Sequence, residues 1–159
     1  MENSNSLKWR GRIIRYAPIL LWIGVIFFLS SDQGSSTQTS RFIRPLLKFL
    51  FPSAPEETLQ IYHGFVRKSA HVTEYAILAL LAARVFSKSS IAALYNHRYL
   101  FPILLVALVA CLDELNQSFG ASRTGSGWDI LLDISGGVAM ILLLRLIGRP
   151  RGAGVSNRL

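Results

Sequence analysis

LDELNQSFGASRTGSGWDILLDISGG, residues 112–137, decides how this chain is read. An apolar run closes on two adjacent acids, Asp113 and Glu114. A Gly/Ser-rich loop follows and carries one arginine, Arg123. A second apolar run opens with Asp129 and takes Asp133 into its body. Acids inside such runs are costly in lipid, so they need partners, a wet cavity or a proton.

The whole chain supports a lipid setting. Its 159 residues are 51% hydrophobic and only 16% charged, with a net charge of +8. Length and composition fit one domain, residues 1–148, followed by a disordered basic tail at 149–159. The basic residues sit in the gaps between apolar blocks, which points to a bilayer and not to nucleic acid as the partner. Cys111 is the single cysteine and lies in an apolar run, where a buried, inert thiol is expected. There is no Walker loop, no GxGxxG and no zinc-type CxxC pair, so the usual nucleotide and zinc signatures are excluded.

The expected fold is an all-α membrane protein, a bundle of four transmembrane helices. Its spans fall at about 13–30, 70–86, 99–119 and 128–147. A signal peptide is the rival reading of the first, but no A-x-A site follows it. Between the first two spans, Phe42, Ile43, Leu46, Leu47 and Leu50 recur at helical spacing, with Arg41, Arg44 and Lys48 on the other side. That pattern predicts an amphipathic interfacial helix over 41–51 in the first outer loop, kinked or delayed by Pro45. Pro55-Glu56-Glu57 reads as a helix start. The uninterrupted apolar part of the second span, Ala76 to Ala83, falls well short of the roughly 17–20 residues needed to cross. His71, Glu74 and Tyr75 must therefore be drawn into the helix. For the same reason Asp113, Glu114 and Gln117 must complete the third span.

Basic residues set the orientation. Lys8, Arg10, Arg12, Arg15, Arg84, Lys88 and Arg98, with the arginines of the C-terminal segment, fall on one side. Arg41, Arg44, Lys48, Arg67, Lys68 and Arg123 fall on the other, diluted by Asp32, Glu56 and Glu57. Both termini are thus expected in the cytoplasm of a multi-pass protein of the bacterial plasma membrane. Ser30 to Gln33, Arg67 to Tyr75, Asp113 to Gln117 and Asp129 to Asp133 then all reach one depth near the outer face. Lys68, His71, Glu74 and Tyr75 share a helical stripe, as do Asp129, Asp133, Gly136 and Gly137. The small residues would let a neighbouring helix come close. His63 and His97 are read as exposed and structural.

This set of residues carries definite chemistry. His71, Glu74, Asp113 and Glu114 are candidate catalytic groups, because carboxylate–imidazole pairing suits acid–base work. Lys68, Tyr75, Gln117, Arg123, Asp129 and Asp133 are candidate substrate-binding groups, Arg123 through its fork of donors to an anion. The acids with one imidazole are also compatible with a divalent cation, without a defined ligand set.

At these residues the chain resembles the VanZ-like family of bacterial membrane proteins. The resemblance rests on RKSAHVTEYAIL at 67–78, DELNQSFGASRTGSGWDILLDISGG at 113–137 and FLSSDQ at the end of the first span. It covers roughly Leu20 to Leu144. It implies Lys68, His71, Glu74, Tyr75, Asp113, Glu114, Gln117, Arg123, Asp129 and Asp133 as the characteristic polar positions. Two positions depart: many relatives carry His in place of Asn116 and Asn in place of Asp133. The family's name implies a link to glycopeptide resistance of the teicoplanin type. With the outward pocket, that suggests a lipid-linked or cell-wall-related ligand, or the glycopeptide itself. Either an enzyme acting at a phosphate or sugar, or a non-catalytic binder of lipid or antibiotic, is compatible with these residues. A carrier is disfavoured, since no acid lies in the inner half of any span. The orientation is checked by C-terminal fusions: green fluorescent protein should fluoresce and alkaline phosphatase should be inactive.

Overall fold

The computed structural model describes residues 4–31, 36–119 and 126–148. These form α1 (Ser4–Ser30), α2 (Ser36–Leu50), α3 (Glu56–Phe86), α4 (Ala92–Asn96), α5 (Leu100–Ser118) and α6 (Gly127–Ile147). Among the described residues, four helical stretches are long and apolar enough to cross a membrane: Ile13–Ser30, Glu56–Phe86, Leu100–Ser118 and Gly127–Ile147. The all-α bundle expected from the sequence is the fold observed. Gln33, Arg123 and the basic tail lie outside the described residues.

Three helices extend beyond the stretches expected from apolarity, α1 among them, which begins at Ser4 and not near Ile13. α3 begins at Glu56, at the helix start expected from Pro55-Glu56-Glu57, and runs unbroken through the span placed at 70–86, because no proline interrupts it and Glu56 and Glu57 suit the dipole at its first turn. At about 1.5 Å per residue, its 31 residues span roughly 46 Å. α2 starts at Ser36 and continues through Pro45, where a later start or a kink is expected. Losing one backbone bond at a proline costs about 3 kcal/mol. Docking on α3 offsets it: Leu47 is buried and Arg44 pairs with Glu56 at the start of α3. Of the other apolar side chains of α2, Phe42, Leu46, Phe49 and Leu50 face outward and Ile43 is half-buried.

α6 packs most extensively on α3 and then on α5, and α1 lies against both α3 and α5. The centre of the bundle is built from Ile26, Tyr75, Leu78, Ala79, Ala82, Val106, Ala110 and Ile141. Small residues recur among these larger ones where helices touch, since lipid offers no hydrophobic drive and close contact must hold the helices together. Gly136 is the extreme case. A Cβ there would lie 2.3 Å from the carbonyl oxygen of Val72 in α3. A Cβ on Gly137 would lie 2.9 Å from Val106 Cγ1 in α5. The stripe of small residues below the acids of α6 is thus a contact surface.

Large apolar side chains cover the outside, among them Leu104, Leu108, Leu112 and Leu115 along one face of α5. Cys111 lies on this outward side and is exposed, contrary to the buried thiol expected. Apolar surroundings in the sequence do not separate a core face from a lipid face when both are apolar. His63 is half-buried, whereas His97 is exposed as expected.

The Gly136 contact predicts that Gly136→Ala will lower the stability of the detergent-solubilised protein by about 1–3 kcal/mol. Gly24→Ala, where a Cβ meets nothing within 4 Å, should not lower it. Thermal unfolding followed by tryptophan fluorescence distinguishes the two.

Candidate functional site at one end of the bundle

The polar residues of α1, α3, α5 and α6 converge where α1 and α5 end and α6 begins. Asp113 is the hub. It is 1% exposed, and its Oδ2 accepts hydrogen bonds from three helices. Ser30 Oγ of α1 donates at 2.7 Å, Gln117 Nε2 of α5 at 2.9 Å and the Tyr75 hydroxyl of α3 at 3.4 Å. Asp113 Oδ1 is buried with no hydrogen-bond partner among the described residues. Tyr75 is therefore a donor as well as a filler, and Ser30 is a buried partner of the acid.

Glu114, next in the chain, points to a different neighbour. It is buried and accepts a hydrogen bond from the backbone N–H of Ser126, immediately before α6. Asp133 is 3% exposed, yet no hydrogen bond or ion pair reaches its carboxylate among the described residues. It lies within Coulombic reach of Asp113, Asp129, Glu114 and Glu74. Within an apolar span such an acid needs a partner, a proton or a wet cavity. The fold places it on a cavity wall.

That cavity, about 140 Å³, lies between α3, α5 and α6. His71, Glu114, Gln117, Asp129, Leu132 and Asp133 line it, with Gly64, Arg67 and Lys68 from the outer turns of α3. One water needs about 10–15 Å³ of such volume, so the space admits several waters or a small polar headgroup. Lys68 Nζ lies 3.4 Å from Asp129 Oδ1, and both side chains are largely open to solvent. This is a rim pair of small energetic weight. Deeper, His71 Nδ1 lies 3.9 Å from Glu74 Oε2, both mostly buried. Trp22 of α1 donates its indole N–H to the Glu74 carbonyl at 2.9 Å, a contact no sequence spacing announces.

Of the ten candidate residues, the structure gathers Lys68, His71, Glu74, Tyr75, Asp113, Glu114, Gln117, Asp129 and Asp133 at one end. Arg123 lies outside the described residues. The environments differ. Asp113 and Tyr75 are committed to one another inside the bundle, whereas His71, Glu114, Gln117, Asp129, Asp133 and Lys68 meet the cavity. Among the described residues, no three His, Cys, Asp or Glu side chains are arranged to hold a metal ion.

A family model described as VanZ/LLP1 matches residues 16–148. No curated protein and no solved structure gives a significant match. The hub predicts that Asp113→Ala, which removes the acceptor shared by α1, α3 and α5, will cost about 3 kcal/mol. Lys68→Ala at the rim should stay within about 1 kcal/mol. Detergent-phase unfolding curves check both.

Proposed function

The chain belongs to the VanZ/LLP1 family, and from that premise we propose that its polar cavity receives a lipid-linked or cell-wall-related ligand from the outer leaflet. The carrying observation is the cavity itself, which pairs basic groups at its rim with buried acids and an imidazole in its wall. A headgroup with an anionic phosphate and hydroxyl or amino groups matches that order of charge. In this reading Lys68 and Arg123 hold the phosphate, while Gln117, Asp129 and Asp133 take polar groups of the sugar or amine. The site faces outward in the bacterial plasma membrane, with both termini in the cytoplasm, by the distribution of basic residues.

If the ligand is turned over, His71 is the acid–base group, with the Glu74 carboxylate 3.9 Å from its Nδ1, beyond hydrogen-bond distance but within Coulombic reach. Glu114 supplies the second carboxylate. The reaction is then hydrolysis or transfer at a phosphate or sugar. A second reading, a non-catalytic binder, draws on a different observation. Asp113 and Glu114 already accept hydrogen bonds that join helices and fix the chain at Ser126, as members of a structural network would.

Glu114→Gln separates the two, since its amide oxygen still accepts from Ser126. An enzyme should lose turnover of lipid phosphates by at least a hundredfold while folding normally. A binder should show only weaker ligand retention in native mass spectrometry. Wild-type activity and retention in a His71→Ala, Glu114→Gln double variant would sink the proposal. The finer link to resistance is read separately: expression in a susceptible host should raise the inhibitory concentration of teicoplanin.

A further inference from the structure

The other end of the bundle carries an unmatched group of cations. Arg15 near the start of the first span, and Arg84 and Lys88 at the end of α3, border a groove of about 300 Å³ between α1 and α3. Its floor is apolar, formed by Ile14, Pro18, Leu81 and Val85. Arg15 is held in place because its Nη1 donates to the Lys88 carbonyl at 2.9 Å. Arg84 and Lys88 are exposed and have no ion-pair partner among the described residues. Other described cations of this end are engaged differently: Arg98 stacks on Tyr95 and Tyr99, and Arg145 on Tyr99, while Arg10 has contacts of its own.

No acid of the described chain can neutralise this group. Glu56, Glu57, Glu74, Asp113, Glu114, Asp129 and Asp133 all belong to the opposite end or to the segment leading to it. The counter-charge must come from outside the described chain. A soluble anion would satisfy the cations but leave the apolar floor uncovered. A phospholipid satisfies both, with its phosphate at the basic rim and an acyl chain along the floor.

We propose that the groove between α1 and α3 binds an anionic phospholipid, with Arg84 and Lys88 on its headgroup and Arg15 positioning the rim. Arg84 contributes a fork of donors to the phosphate oxygens and Lys88 a point charge. The positive-inside distribution places this lipid in the cytoplasmic leaflet. The assignment is independent of what the polar cavity at the other end does.

The test is native mass spectrometry of the full chain, delipidated in mild detergent and titrated with phosphatidylglycerol or phosphatidylcholine. The wild type should bind phosphatidylglycerol at least fivefold better. Arg84→Gln, Lys88→Gln should weaken that binding about tenfold. An Arg41→Gln, Lys48→Gln variant, which removes the same charge from α2, should bind as the wild type does. Equal binding of the two lipids, an unaffected Arg84/Lys88 variant, or equal loss in the α2 variant would overturn the proposal. Displacement of the lipid by millimolar inorganic phosphate would also overturn it, since a free-anion site would then account for the cations. Both altered side chains are exposed, and an unchanged melting temperature confirms that the variants fold.

Discussion

A single carboxylate oxygen, Asp113 Oδ2, joins three of the four long helices. Ser30, Tyr75 and Gln117 all donate to it, from α1, α3 and α5. In water such bonds would be worth about 1 kcal/mol each, because solvent competes for every donor. Inside a bilayer there is no competing solvent, and a donor that misses its acceptor stays unsatisfied. The acceptor therefore sets the relative height of three helices that lipid alone would let slide. α6 is fixed differently, by the glycines that let it approach α3 and α5 and by the Glu114 bond to Ser126 at its start.

These two devices position the cavity. Close approach at Gly136 holds α6 against α3 one turn below Asp133. Above that contact the same helices leave space, and Asp129 and Asp133 line it. Acids that would be prohibitive on a lipid-facing surface are tolerable here because they border a polar interior. Neighbours in the chain meet different surroundings: Asp113 joins helices inside the bundle, while Glu114 borders both a backbone donor and the cavity.

Much of this was legible in the sequence, for physical reasons. Apolar runs too short to cross forced His71, Glu74, Asp113 and Gln117 into helices, and alternating direction then put them at one depth. Gly136 and Gly137 marked close contact by spacing alone. Other features were hidden. Trp22 gave no sign that its indole would meet the Glu74 carbonyl, since it sits mid-span among apolar residues. Ser30 looked like an ordinary helix end, and only the fold shows that it is a buried partner of Asp113. Cys111 misled because the inner and outer faces of α5 are both apolar, so composition does not separate them. The start of α3 was legible at Pro55-Glu56-Glu57, but its continuity with the second span was not, because apolarity marks the membrane-embedded part of a helix and not the helix itself.

The length of α3 also couples this protein to its surroundings. A rod of roughly 46 Å cannot stand upright within a hydrocarbon layer of about 30 Å and have both ends covered. It tilts, or its first turns rise into the headgroups beside α2. Either response depends on bilayer thickness. Lys68 and His71 lie roughly 18 and 22 Å from its start, near the middle of the rod, so the depth at which they sit depends on how the rod is accommodated. The depth of the cavity is thus set partly by the lipid around α3.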